Sequence, residues 1–138
     1  MDFGWQSHWV LFNTFLILVS ALKEQLGPEP INPNNKDVQS ALDFAVESFN
    51  TFSTDDHLFK VTRVVSAQVK DIGGLLYFLE ADLGRTQCKK GTNQALISCF
   101  VVNTPGKSEH RFCHFKVLNT FWRNEKYLLK SNCNPVNR

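Results

Sequence analysis

Between Val38 and Phe49, apolar residues fall at Val38, Ala41, Leu42, Ala45, Val46 and Phe49. This i, i+3, i+4, i+7, i+8, i+11 spacing draws one continuous face on a helix. Asn34, Asn35 or Asp37 can cap its start, because a short side-chain oxygen accepts from an orphan N–H of the first turn. The turn-prone run Asn50-Thr51-Phe52-Ser53-Thr54-Asp55-Asp56 predicts its end. The period then changes to two. Phe59, Val61, Val65, Ala67 and Val69 alternate with Lys60, Thr62, Ser66, Gln68 and Lys70, the pattern of a half-buried strand. Asp71-Ile72-Gly73-Gly74 interrupts it, and Leu75, Tyr77, Leu79, Ala81 and Leu83 open a second strand. Two long alternating runs across a short glycine turn predict a β-hairpin. Residues 111–118 and 125–130 predict another, whose turn carries Phe121 and Trp122. Residues 95–102, Ala-Leu-Ile-Ser-Cys-Phe-Val-Val, read locally as one more strand. A helix followed by a run of strands is an α+β pattern, with the helix laid across an antiparallel sheet.

The first part of the chain differs in kind. Residues 22–36 hold Pro28, Pro30, Pro33 and Asn34-Asn35, and predict an extended, flexible arm, since proline fixes φ and disfavours helix before it. Ahead of the arm, Trp9-Val10-Leu11-Phe12 and Phe15-Leu16-Ile17-Leu18-Val19 form an apolar run shorter than the roughly 20 residues that cross a bilayer. It ends in Val19-Ser20-Ala21, small residues at the positions a signal peptidase reads. The expected organisation is a signal peptide over residues 1–21 and a single domain over 22–138, with no membrane attachment after cleavage.

Composition narrows the function classes. A net charge of +2 with no dense Lys/Arg run argues against nucleic acid as the partner. Four cysteines, Cys88, Cys99, Cys113 and Cys133, sit in the C-terminal half. After a signal peptide an even count implies disulfides, with three pairings open. His110 and His114 flank Cys113, but the spacing fits no compact tetrahedral zinc pattern, so no metal and no cofactor are expected. There is no phosphate-cradling loop, no G-x-S-x-G elbow and no H-E-x-x-H. Asp55-Asp56 resembles a carboxylate pair, but neighbours in a turn are expected to point apart. His57, His110 and His114 read as surface residues. The sequence argues against an enzyme and for a binding module. Three features outside regular structure stand out: the arm at Leu26-Gly27, the Gly73-Gly74 turn and the Phe121-Trp122 turn. An exposed tryptophan at a hairpin tip suits a contact surface.

With those residues in hand, the chain resembles the type 2 cystatins, secreted inhibitors of papain-like cysteine proteases. Ala41-Leu42-Asp43-Phe44-Ala45-Val46 resembles the family helix, and Tyr77-Phe78-Leu79-Glu80-Ala81-Asp82-Leu83-Gly84-Arg85-Thr86-Gln87-Cys88 resembles its second long strand. The likeness runs over residues 26–133 and implies a cystatin-like fold, a helix across a curved antiparallel sheet of four to five strands. It also implies the sequential pairing Cys88–Cys99 and Cys113–Cys133, and an irregular appended segment over residues 89–110 in place of the local strand. Loops of that size make each bridge worth about 3 kcal/mol.

The resemblance further implies a protease-binding wedge of three parts: an arm with a glycine, a first hairpin loop Q-x-V-x-G and a second loop P-W. Leu26 and Gly27 stand in the arm. Lys70-Asp71-Ile72-Gly73-Gly74 stands at the first loop and Phe121-Trp122 at the second. Lys70 replaces glutamine and Phe121 replaces proline. Two charges near a tip that must shed water are costly, and Gly73 adds an ordering cost. These departures together imply inhibition weakened roughly tenfold to several-hundredfold. Thr54 stands where members that inhibit legumain carry an asparagine, so that activity is not expected. The implied partners are cathepsin-type papain-like proteases, engaged by a monomer, with a domain-swapped dimer as the alternative state. The competing function is a non-inhibitory cystatin-like binding protein, of the reproductive-tract type, that keeps the scaffold for another partner.

Overall fold

The computed structural model describes residues 27–136. Within that range come a short strand β1 (Glu29–Pro30), a helix α1 (Lys36–Phe52) and four long strands: β2 (His57–Asp71), β3 (Leu75–Lys89), β4 (His110–Thr120) and β5 (Glu125–Val136). The strands form one antiparallel sheet in chain order, and α1 packs across one face of it. This is the α+β arrangement expected from the pattern, and it agrees with the cystatin-like fold that the resemblance implies. The expected signal peptide and Leu26 lie outside the described residues.

Of the three candidate caps, Asn35 is the one used: its Oδ1 accepts from the Asp37 N–H at 2.8 Å. Asp37 in the first turn complements the positive end of the helix dipole. Val38, Ala41, Leu42, Ala45 and Val46 are buried against Tyr77, Leu79, Ala81 and Leu83 of β3 and Phe115 and Val117 of β4. Each large apolar side chain so buried stabilises the fold by roughly 1.5–3 kcal/mol. At the helix end, Phe49 meets Phe59 edge to face with ring centroids 5.4 Å apart. The buried Asn50 amide ties the same turn to β2, donating to the Phe59 carbonyl at 2.9 Å and accepting from its N–H at 2.8 Å.

Three local expectations are corrected. Val65 is exposed, while Val64 packs on the core. Register shifts between Val61 and Arg63 and between Val64 and Ser66 change the phase, so the inward series is Val61, Val64, Ala67, Val69. Residues 95–102 are not a strand. Leu96–Ser98 form a 3₁₀ turn, and only Val101 makes a bridge, to Thr86. Cys88–Cys99 holds this segment against β3, and Val101 fills the space over Gly84, where a Cβ would come within 2.6 Å of it. Asp55 and Asp56 do not point apart. Both carboxylates reach Arg85 of β3, at 3.1 and 3.0 Å, because a shared guanidinium draws neighbouring acids together across the turn. His57 Nδ1 lies 2.7 Å from Asp56, and that contact, with Arg85 adding, holds the Asp56 carboxyl below its ordinary range.

Both disulfides follow the sequential pairing, Cys88–Cys99 and Cys113–Cys133. The second joins residues directly opposite on β4 and β5, on the core side of the sheet. One buried group is left unmet: the Tyr77 hydroxyl, fully buried, has no hydrogen-bond partner among the described residues. Burial, with the Asp37 charge adding, pushes its pKa up.

Candidate functional site

The β2–β3 hairpin closes between Asp71 and Leu75, and the β4–β5 hairpin between Thr120 and Glu125. Leu75 pairs with Asn119 across β3 and β4, so the two turns emerge side by side at one end of the sheet. β1 runs antiparallel to β2, with Glu29 opposite Val69 and Pro30 opposite Gln68. Followed backwards, the chain therefore brings Gly27 to the same end. A proline is tolerated in β1 because it is an edge strand. The arm is extended as expected, but from Glu29 it is pinned, with the Ile31 N–H donating to the Ala67 carbonyl at 3.1 Å.

The first loop has a defined shape. The Asp71 carboxylate accepts from the Gly73 N–H at 3.0 Å, and Ile72 N–H donates to the Gly74 carbonyl at 3.0 Å. Gly73 sits at φ +93°, a left-handed conformation that glycine adopts without strain. One of the two charges at this loop thus has its partner inside the turn. Lys70, half-buried on β2, makes no ion pair among the described residues. Gly74 is buried for a different reason. A Cβ there would stand 2.9 Å from the Asn119 carbonyl oxygen and 3.6 Å from Trp122 Cη2. The missing side chain lets the two hairpins touch.

In the second loop, Thr120 Oγ1 donates to the Glu125 carbonyl at 3.1 Å, and Asn124 takes φ +51° to complete the turn. Three large apolar side chains project from the two tips: Ile72 is 54% exposed, Phe121 57% and Trp122 65%. Trp122 leans toward Gly74 and does not fold back onto the sheet. No catalytic constellation accompanies them among the described residues. Every cysteine is in a disulfide, and the Asp55, Asp56 and His57 cluster is occupied by Arg85 at the opposite end of the sheet. A strip of exposed glycine-turn backbone and apolar side chains can bind another protein but offers no group to transfer protons or bonds.

A family model for the cystatin domain matches residues 27–122. The chain belongs to the cystatin family. Its relatives include the cystatin of Gallus gallus, 34% identical over 131 residues, covering 90% of this chain and 94% of the relative. Cystatin-C of Bos taurus is 40% identical over 100 residues, 72% of this chain and 67% of the relative. Among solved structures, dimeric human cystatin F superposes with a TM-score of 0.75 at 30% identity, over 80% of this chain and 88% of that one. Cystatins are generally inhibitors of cysteine proteases and not enzymes, and the two disulfides found here accord with the type 2 form.

Within this cystatin, the structure brings Gly27, Lys70, Asp71, Ile72, Gly73, Gly74, Phe121 and Trp122 to one end. The contact of Asn119 with Gly74 was missed by sequence reasoning. Its only trace in the sequence is the glycine itself.

Proposed function

We propose that this cystatin is a secreted inhibitor of papain-like, cathepsin-type cysteine proteases, and that it blocks the active-site cleft with the arm and the two hairpin tips. Support comes chiefly from one observation: the Gly74 and Trp122 loops abut, with Gly27 arriving alongside. Leu26 and Gly27 supply the arm, Lys70 to Gly74 the first loop, and Phe121-Trp122 the second. The tips offer apolar area and close-approaching backbone, the terms that dominate binding when little else is charged. No peptide bond is presented in register with a nucleophile, so the inhibitor blocks without being cut. The apolar run ending at Ala21 serves as a signal peptide, leaving 22–138 as the mature domain; no helix among the described residues is long and apolar enough to cross a membrane.

Lys70 and Phe121 detune the wedge. The Lys70 ammonium must be desolvated or bent away when the tip is buried, a cost of about 1 kcal/mol. The mature, oxidised chain titrated against several papain-like proteases is expected to inhibit reversibly at or below about 1 µM, and Lys70→Gln to inhibit several-fold more tightly. Absence of inhibition by both forms at that concentration would contradict the proposal. It would favour the second reading, motivated by the same Lys70 and Phe121, of a non-inhibitory cystatin-like protein that keeps the scaffold for another partner.

A further inference from the structure

The helix covers one face of the sheet. The other face carries no second helix or sheet among the described residues; Val101 lies over Gly84 at its far end, and Leu76 and Asp82 are buried on it by their neighbours. Because Phe115 and Val117 point to the core, His114 and Lys116 of β4 point outward, and the register fixes their neighbours. Gln68, Phe78, Lys116 and Lys130 form one row across four strands, and Lys70, Leu76, Leu118 and Tyr127 form the next row toward the loops. At ordinary strand spacing of about 4.8 Å, the three lysines fall within roughly 15 Å of one another.

This face has an unbalanced charge. Lys116 stands directly opposite Lys130, an arrangement of like charges that destabilises a sheet. Neither they nor Lys70 meet a carboxylate among the described residues. The acids on the same face are committed elsewhere: Asp82 to Arg63 at 3.2 Å and Glu80 beside His114 at 3.4 Å further along, and Glu125 to the Tyr127 hydroxyl at the loop end. Lys116 is held in place, its Nζ 5.2 Å from the centre of the Phe78 ring. Amide side chains flank the cations: Gln68 in the same row, and Asn132 and Asn134 opposite His114 and Phe112.

We propose that this outer face binds sulfated glycan chains, with sulfates against Lys70, Lys116 and Lys130 and sugar hydroxyls against Gln68, Asn132 and Asn134. The charges call for a polyanion spread over a flat surface, and amides match a hydroxyl-rich backbone. Single-stranded nucleic acid is the poorer fit, since it draws on a run of free aromatic platforms: Phe78 is covered by Lys116 and Phe112 meets His114 edge to face, which leaves Tyr127 alone at the loop end of the face. Lys116 and Lys130, one row away from the loops, would tether the inhibitor to an extracellular matrix while leaving Trp122 free, and Lys70, shared with the first loop, would contact the glycan only when no protease is bound.

The test is heparin affinity of the mature, oxidised chain at graded sodium chloride, compared with K116E/K130E and with a control of equal charge change, K89E/K107E. Wild type is expected to be retained at about 0.15 M salt, where distant charges are screened. K116E/K130E should lose roughly tenfold or more in affinity with a shallower salt slope, and K89E/K107E less than about threefold. Should the double glutamate variant fold poorly by circular dichroism, K116Q/K130Q is expected to give a smaller loss in the same direction. Equal losses in both pairs, no retention of wild type, equal binding of desulfated heparin, or stronger competition by oligo-dT than by heparin would each overturn the proposal.

Discussion

The two ends of the sheet are built on opposite terms. At the end where β2 begins and β3 finishes, polar groups are closely tied together. Asn50 makes two hydrogen bonds with the Phe59 backbone, Thr86 Oγ1 donates to the Leu58 carbonyl at 2.7 Å, and Lys60 Nζ donates to the Cys99 carbonyl at 3.0 Å. Arg85 gathers Asp55 and Asp56, and Cys88–Cys99 clamps the appended segment onto β3. At the other end the turns are held by a few bonds of their own, Asp71 to Gly73 and Thr120 to Glu125, while Ile72, Phe121 and Trp122 face solvent. One end holds the fold together. The other holds a shape whose apolar surface gains its burial only from a partner. Substitutions at the two ends should therefore separate stability from inhibition.

The largest effect is expected at the tied end. Phe59→Ala removes a fully buried ring that meets Phe49 and lies under Arg111, whose guanidinium carbon is 5.3 Å from the ring centre. Denaturant titration should show a loss of about 3–5 kcal/mol. Cys88→Ser with Cys99→Ser comes next, at about 3 kcal/mol, with inhibition by the folded fraction retained. A large drop in inhibition at full folding would mean that the appended segment belongs to the binding surface. Trp122→Ala should do the reverse. Inhibition is expected to weaken by roughly thirtyfold, about 2 kcal/mol, while denaturation shifts by less than about 0.5 kcal/mol. A loss of stability as large as the loss of inhibition would mean that Trp122 mainly packs the fold. The smallest change is of opposite sign. Tyr77→Phe removes a buried hydroxyl that has no partner, and thermal unfolding should show a gain of about 1 kcal/mol with inhibition unchanged.

What the sequence reveals follows from how local each signal is. The helix is legible because six apolar positions repeat at 3.6, and the hairpins because the period drops to two on either side of Gly73-Gly74 and Phe121-Trp122. The phase change in β2 is not legible: an extra residue at a bulge leaves every neighbour chemically ordinary, and only the β3 ladder exposes it. Residues 95–102 look like a strand because Leu96, Ile97, Phe100, Val101 and Val102 are apolar, yet the bridge to Cys88 allows only one rung of pairing. At the loop end, the residues were identifiable one by one. Their proximity was not, because it depends on two hairpins lying edge to edge, which Gly74 permits by lacking a side chain. Nor could the sequence show that Asp71 spends its charge on Gly73 while Lys70 keeps its own.

The most direct measurement is backbone amide hydrogen exchange of the mature, oxidised chain with and without papain. Papain is expected to slow exchange in residues 70–74 and 121–124 and to leave residues 95–102 unchanged. Protection confined to 95–102, or no protection anywhere at saturating papain, would contradict a wedge at the loop end.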